Sequence, residues 1–388
     1  MADLVIKNIG TLVTGDISNP TVDADVVVIN GGKIEKIERE NNLAASEMKG
    51  DCVIDASGAT VAPGLIDSHG HPVLGDYSPR QKVMGFIEGS LHGGVTTMIS
   101  AGEPHTPGRP KDKEGVKALA VLAHKSSQNI RPGGVKLHGG ALILEKGLTE
   151  DDIKEVAEAG VWLVGEVGLG SVKDAKEAAP MVEWAKKHGM KVAMHTGGVS
   201  IPGSSTVTVE DVMTVKPDVV SHLNGGPTAI PPQELRRLID STDMALELVQ
   251  CGNPRAMKQG AQILDEKGEL HRIVLGNDAP SGTGFIPLGI LRSMALLASV
   301  AGISADKVLC MATGNTAKTF DLNTGLIEPG KEADLVIMDA PMGSAGEDAL
   351  KALEVGDLPG ISTVIVDGEP VISKSRNTPP PVNKAQIL

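Results

Sequence analysis

The segment Gly64-Leu65-Ile66-Asp67-Ser68-His69-Gly70-His71-Pro72 sets two imidazoles two residues apart at the end of a short apolar run. Successive side chains of an extended strand face opposite sides, so His69 and His71 project from one face. Neutral imidazole nitrogen ligates zinc and divalent iron, which makes a His-x-His pair at a strand end a candidate half of a metal site. Taken alone the pair is weak, because hydrogen-bonded and surface histidines are commoner than ligands. The rest of the chain must supply the other ligands.

Four further apolar runs end in residues able to bind a cation. Trp162-Leu163-Val164-Gly165 leads to Glu166, Val192-Ala193-Met194 to His195, Val219-Val220-Ser221 to His222, and Leu275-Gly276-Asn277 to Asp278. With His69 and His71 these make a set of four imidazoles and two carboxylates, drawn from a chain that has 10 His in all. A single strand-end His or Asp can simply bond a loop or cap a helix. Six at corresponding places point to a metal site, provided the fold brings those ends together.

The spacing supplies that fold. Counting the run that ends at His71, strands are predicted at 95–100, 134–138, 161–166, 191–195, 218–222, 244–249 and 273–278, which makes eight. Their ends lie roughly 25 to 40 residues apart, room for one crossover helix each. Helical patterns occupy 150–159, 178–188, 232–240 and 254–267. Eight βα units specify an α/β chain with a (β/α)8 TIM-like barrel, and such barrels place chemistry at the C-terminal ends of their strands.

Residues 1–62 read instead as short β-runs, with Asn30-Gly31-Gly32 between two of them as a hairpin signal. The β texture returns after residue 322. We expect residues 63–322 to form the barrel, and residues 1–62 and 323–375 to form one small β-sandwich domain built from both chain termini. The Pro-rich stretch in 376–388 reads as a C-terminal tail.

The 388 residues hold 41% hydrophobic side chains but only two Trp, one Tyr and three Phe, so Val, Ile, Leu, Ala and Met must fill the core. That composition suits buried parallel strands. A net charge of −13 and a pI near 5.3 argue against nucleic acid and anionic membrane surfaces as partners. The three Cys have no C-x-x-C spacing, and the N-terminus does not read as a signal peptide. A cytoplasmic location is expected. Cys251, just beyond the seventh predicted strand, reads as a packed thiol, since no His neighbours it in sequence.

The His-x-His after Pro63-Gly64-Leu65-Ile66-Asp67, the single His195 and His222, the final Asp278, and the stretch Gly325-Leu326-Ile327-Glu328-Pro329-Gly330-Lys331-Glu332-Ala333-Asp334-Leu335-Val336 resemble the amidohydrolase superfamily. Four further segments (94–102, 164–170, 197–206 and 276–284) resemble the branch of it that opens cyclic enamides in anaerobic nicotinate fermentation. The resemblance implies hydrolysis of a C–N bond in a small cyclic amide bearing a carboxylate, 6-oxo-1,4,5,6-tetrahydronicotinate, to 2-formylglutarate and ammonia. It also implies two divalent metal ions, zinc and iron, and a homo-oligomer, a tetramer.

By the superfamily's pattern His69, His71 and Asp278 hold one metal and His195 and His222 the other. Many members bridge their metals with a carboxylated lysine on the fourth strand. Here that strand ends in Glu166, whose two carboxylate oxygens can bridge without carbon dioxide. Lys136 is the competing lysine. Two cations sharing a water lower its pKa toward neutrality and supply hydroxide, and Asp278 beside it is the candidate catalytic base that passes the proton to the departing nitrogen. Candidates to orient the substrate carboxylate are Arg80, His105, Arg109, His138, Asn224, Ser281 and Thr283.

Two other readings share these residues. A cyclic amidase of the dihydropyrimidinase or dihydroorotase kind, or a deaminase, would use the same ligands with different loops. A non-catalytic barrel scaffold would be expected to have lost ligands, and here all six are present.

Overall fold

The computed structural model describes residues 2–72, 83–103, 108–198, 206–226, 229–280 and 286–388. Eight parallel strands organise it: β1 (Leu65–Gly70), β2 (Val95–Ser100), β3 (Lys136–His138), β4 (Leu163–Val167), β5 (Lys191–Met194), β6 (Val219–Val220), β7 (Ala245–Val249) and β8 (Ile273–Gly276). Ladders join β1 through β3 and β4 through β8. Parallel bridges between Leu142 and Val164, and between Gly70 and Ala279, close the two arcs into the predicted barrel.

One helix follows each strand: α1 (Val83–Leu91), α2 (Lys113–Asn129), α3 (Glu150–Glu158), α4 (Ala175–Lys187), α5 (Val209–Val215), α6 (Pro232–Ser241), α7 (Pro254–Glu266) and α8 (Gly289–Ser299). Their starts are written in the sequence. Thr149 and Asp152 form a reciprocal capping box on α3, and Asp174 and Asn253 accept from the first turns of α4 and α7. The α4 start lies three residues before the predicted one, because the Asp174 side chain caps the amides of Lys176 and Glu177.

Every residue of β1 and β2 is buried, since one face meets the helices and the other the barrel interior. Ile66, Ile99, Leu163, Val219 and Val274 come from five strands into one interior cluster. This apolar layer fills the barrel and gives the polar rim a rigid floor.

Both chain ends build the remaining sheets. One orders Gln386–Ile387, Gly50–Asp55, Ala2–Lys7, Val26–Asn30 and Lys33–Glu38; the other orders Glu369–Ile372, Gly360–Val366, Leu335–Asp339, Thr60–Pro63, Thr11–Val13 and Thr21–Val22. Leu4, Ile6, Val27, Ile54, Val61, Leu335, Ile337 and Ile365 share a core between them, as in a sandwich. The predicted hairpin joins Asn30 to Lys33, with both central glycines at positive φ, 59° and 70°, as its two-residue turn requires.

The C-terminal stretch departs from the expected tail. Asn377 bonds the Gly89 carbonyl of α1, and Gln386–Ile387 adds an edge strand to the sheet holding Gly50–Asp55. The prolines suit the crossing segment, which needs no ladder hydrogen bonds, while the residues after them regain extended pairing. Among the described residues, no helix is long and apolar enough to cross a membrane.

Candidate metal centre

The strand ends bring together the six predicted residues. His69 and His71 have ring centroids 5.0 Å apart, and His195 and His222 4.5 Å apart. Two groups result, His69 with His71 and Asp278, and Glu166 with His195 and His222; within each, one ligand atom per residue lies within 4.8 Å of the others. Glu166 faces both. Its Oε1 is 2.7 Å from His222 Nε2 and 3.4 Å from His195 Nδ1, while its Oε2 is 3.5 Å from His69 Nε2 and 3.8 Å from His71 Nε2.

His71, His195, His222 and Asp278 lie one or two residues past their strands, and the last two leave the extended conformation predicted for them. His222 and Asp278 have φ of 34° and 54°, in the left-handed region that non-glycine residues seldom adopt. Strain of this kind gathers at functional sites, where surrounding contacts enforce it. The Asp278 amide donates to the His69 carbonyl at 2.9 Å, tying the last residue of the set to the first. Gly276 permits the close approach: a Cβ there would lie 2.6 Å from His69 Cβ.

A further layer fixes which imidazole nitrogens face inward. His69 Nδ1 donates to Glu247 Oε2 at 2.6 Å, and His71 Nδ1 donates to the Gly102 carbonyl at 2.8 Å. With the proton held at Nδ1, each ring turns its Nε2 toward the site. Glu247 also accepts from Ser68 Oγ at 2.6 Å and from the His222 amide at 3.2 Å, so one carboxylate braces both histidine pairs. Asp67 accepts from the His69 and Asn277 amides and from Asn277 Nδ2. Burial pushes its carboxyl up to about 6, against those hydrogen bonds. Sequence reasoning passed over both carboxylates. The signal was an acidic residue inside a strand run, Glu247 between Leu246 and Leu248 and Asp67 directly after Leu65 and Ile66.

Charge in the site is strongly coupled. Burial disfavours the His69 cation, yet Glu247, Glu166 and Asp278 outweigh it and raise that histidine well above its ordinary value. Burial likewise opposes the Glu166 and Asp278 anions, but His69 and the other imidazoles hold both below the usual carboxylate range. His195 is lowered, by burial first and then by His222. The carboxylates thus require positive charge at this spot.

The donor set fits a pair of divalent cations. His69 Nε2, His195 Nε2 and His222 Nδ1 are buried with no hydrogen-bond partner, an arrangement that costs free energy unless something else meets those nitrogens. Imidazoles with one shared and one terminal carboxylate suit zinc or divalent iron. Asp278 is the most open of the carboxylates, its side chain 15% exposed against 2% for Glu166.

The substrate-orienting candidates fare differently. Arg80, His105, Ser281 and Thr283 lie outside the described residues. Arg109 is committed to Glu145 by a buried ion pair of 2.8 Å, which ties the loop after β2 to the loop after β3. Asn224 is fully buried and spends its amide on the Val249 backbone, donating and accepting at 2.8 Å.

His138 shares its face with Lys136 by strand alternation, and both line a cavity of about 650 Å³ with His124, Arg131, Trp162 and Asp367, away from the six residues. Burial lowers the His138 imidazole to about 4. Lys136 does not compete for a bridge, because its Nζ lies 2.6 to 2.7 Å from Glu332, Asp334 and Asp367. Cys251 is not simply a packed thiol: its Sγ donates to Asp278 Oδ2 at 2.9 Å.

Comparison with known proteins agrees with this architecture. Residues 60–371 match the Amidohydrolase family. The chain is 60% identical to an enamidase from Eubacterium barkeri over 389 aligned positions, covering 100% of both proteins. A crystal structure of enamidase superposes with a TM-score of 0.96 at 59% identity, covering 99% of this chain and 100% of that one. An adenine deaminase from Bacillus velezensis is 25% identical, matching 87% of this chain and 54% of its own length. With the family matched across the barrel and a full-length relative at this identity, the chain belongs to the amidohydrolase family.

Proposed function

We propose that this protein hydrolyses the amide C–N bond of a cyclic enamide, 6-oxo-1,4,5,6-tetrahydronicotinate, and that the ring-opened enamine, through its imine tautomer, takes up a second water to give 2-formylglutarate and ammonia. In this reading it holds one zinc and one iron per chain and works as a cytoplasmic homotetramer. The observation that carries the reading is the Glu166 carboxylate, with one oxygen toward each histidine pair, in a chain 60% identical to an enamidase over its full length.

His69, His71 and Asp278 would hold one cation, His195 and His222 the other, with Glu166 between them. Such a pair supplies Lewis acidity and a water acidified to near neutrality. The chain's own residues do the rest. Asp278, anionic and the most open carboxylate of the set, takes the proton of the attacking water and delivers it to the departing ring nitrogen. Glu247 and the Gly102 carbonyl keep the His69 and His71 lone pairs turned inward while charge shifts beside them. The buried floor at Ile66, Ile99 and Val274 excludes bulk water from below.

Ammonia release from the tetrahydronicotinate lactam, measured beside dihydrouracil, dihydroorotate and adenine, tests the proposal. Turnover of the lactam alone or foremost is expected. Turnover of another member of the panel with none of the lactam would overturn it. Sedimentation of the purified protein tests the tetramer.

A further inference from the structure

Asp278 presents its two carboxylate oxygens to different surroundings. Oδ1 lies 3.2 Å from His71 Nε2 and 3.6 Å from His69 Nε2, whereas Oδ2 accepts from the Cys251 thiol at 2.9 Å. The thiol is held there by backbone. The Gln250 amide donates to the Gly276 carbonyl at 3.0 Å and the Cys251 amide to the Asn277 carbonyl at 3.4 Å, which fastens the loop after β7 alongside the end of β8. Asp278 itself sits in the left-handed region, at φ 54°. The torsion that turns its carboxylate plane is soft, so the two oxygens, one toward the histidines and one toward Cys251, are told apart by what holds each of them.

We infer that Cys251 is a positioning residue for the proposed hydrolysis, its S–H holding Oδ2 so that Oδ1 stays directed at His69 and His71. A carboxylate can only accept, so the thiol must be the donor. The buried, unpartnered Nε2 of His69 is 3.6 Å from Oδ1, so rotation of the carboxylate would also disturb what meets that nitrogen.

This inference rests on the reading of Asp278 given above, and its test separates the two. Cys251→Ala and Cys251→Ser are compared with the parent after metal reconstitution, with kcat counted per metal-loaded site. Loss of one such hydrogen bond predicts about a fivefold fall in kcat for Cys251→Ala with KM unchanged, and near-parental kcat for Cys251→Ser, which keeps the donor. In cobalt-substituted protein, the visible absorption bands should move in Cys251→Ala and stay in place in Cys251→Ser. Parental kcat and absorption in Cys251→Ala would overturn the inference, as would equal losses in both variants. A parent inactive on the lactam would overturn the proposed function, while the cobalt bands would still decide the role of Cys251.

Discussion

Replacing Glu247 with Ala should cost the site its metals before it costs the fold its shape. The side chain is 1% exposed and serves the His69 ring, the Ser68 hydroxyl and the His222 amide at 2.6, 2.6 and 3.2 Å. Truncation leaves three buried donors unmet, each worth about 1–3 kcal/mol if nothing replaces the acceptor. It also frees the His69 ring to rotate or to place its proton on Nε2, where it can no longer ligate. Loss of a brace of this kind lowers metal affinity by about 10–100-fold.

Glu247→Gln is the informative companion. Its carbonyl oxygen can still accept from His69 and His222 while its NH2 donates to Ser68, so the main loss is one negative charge. Chelator competition on reconstituted protein, read by elemental analysis, should rank parent above Gln above Ala, with the thermal midpoint in the same order. Parental metal retention and midpoint in Glu247→Ala would refute the bracing role.

Three other outcomes follow from the same geometry. Glu103, just past β2, is 3% exposed with neither carboxylate oxygen partnered, and burial alone pushes its carboxyl well above the ordinary range. The folded state then binds that proton more tightly than the unfolded chain, so stability falls as pH rises from the ordinary Glu value through the raised one. Glu103→Gln should be more stable than the parent at pH 8 by about 1–3 kcal/mol, with the gain vanishing near about pH 4; equal midpoints at pH 8 would contradict this.

Lys136→Ala leaves Asp334 buried beside no cation and should destabilise by about 3–5 kcal/mol with metal content unchanged; metal loss instead would make Lys136 a ligand or bridge. Asp278→Asn should lower kcat by about 10²–10⁴ while part of the metal remains, and full activity in a metal-replete Asp278→Asn protein would refute its role as base.

Much of the site was legible because a parallel barrel repeats one rule. Each apolar run had to end at the same rim, so a His, Glu or Asp at the end of a run was already placed in space by its register. Glu166 and His195 needed nothing more. His222 and Asp278 were found too, although the backbone reaches them by turning left-handed and not by extending, because the turn still delivers them to the rim. Glu247 and Asp67 were missed for the converse reason. They lie inside strands, where charge has no place unless buried partners await it, and the decisive partners are far away in the chain: Ser68, His69 and His222 for Glu247, and Asn277 for Asp67.

Loop residues followed no such rule. Arg109 and Asn224 have the right chemistry to meet a carboxylate, but Glu145 and the Val249 backbone claim them, and partner choice of that kind depends on loop paths the sequence does not spell out. His138 stands at a strand end, as several of the ligands do. Its three-residue strand is followed by Gly139 and Gly140, and the ring turns toward Trp162 instead, with centroids 5.3 Å apart. The sandwich built from both chain ends was visible in the return of β texture after the barrel, whereas the terminal edge strand, two residues beyond a Pro-rich crossing, was too short to announce itself.

Metal dependence is the most direct consequence of this site. Protein stripped by chelation and titrated with zinc and iron should regain ammonia release from the cyclic enamide in proportion to bound metal, levelling at two ions per chain, and Glu166→Ala should fail to reach that level. Full turnover by metal-free protein, or a plateau at one ion per chain that Glu166→Ala reproduces, would contradict it.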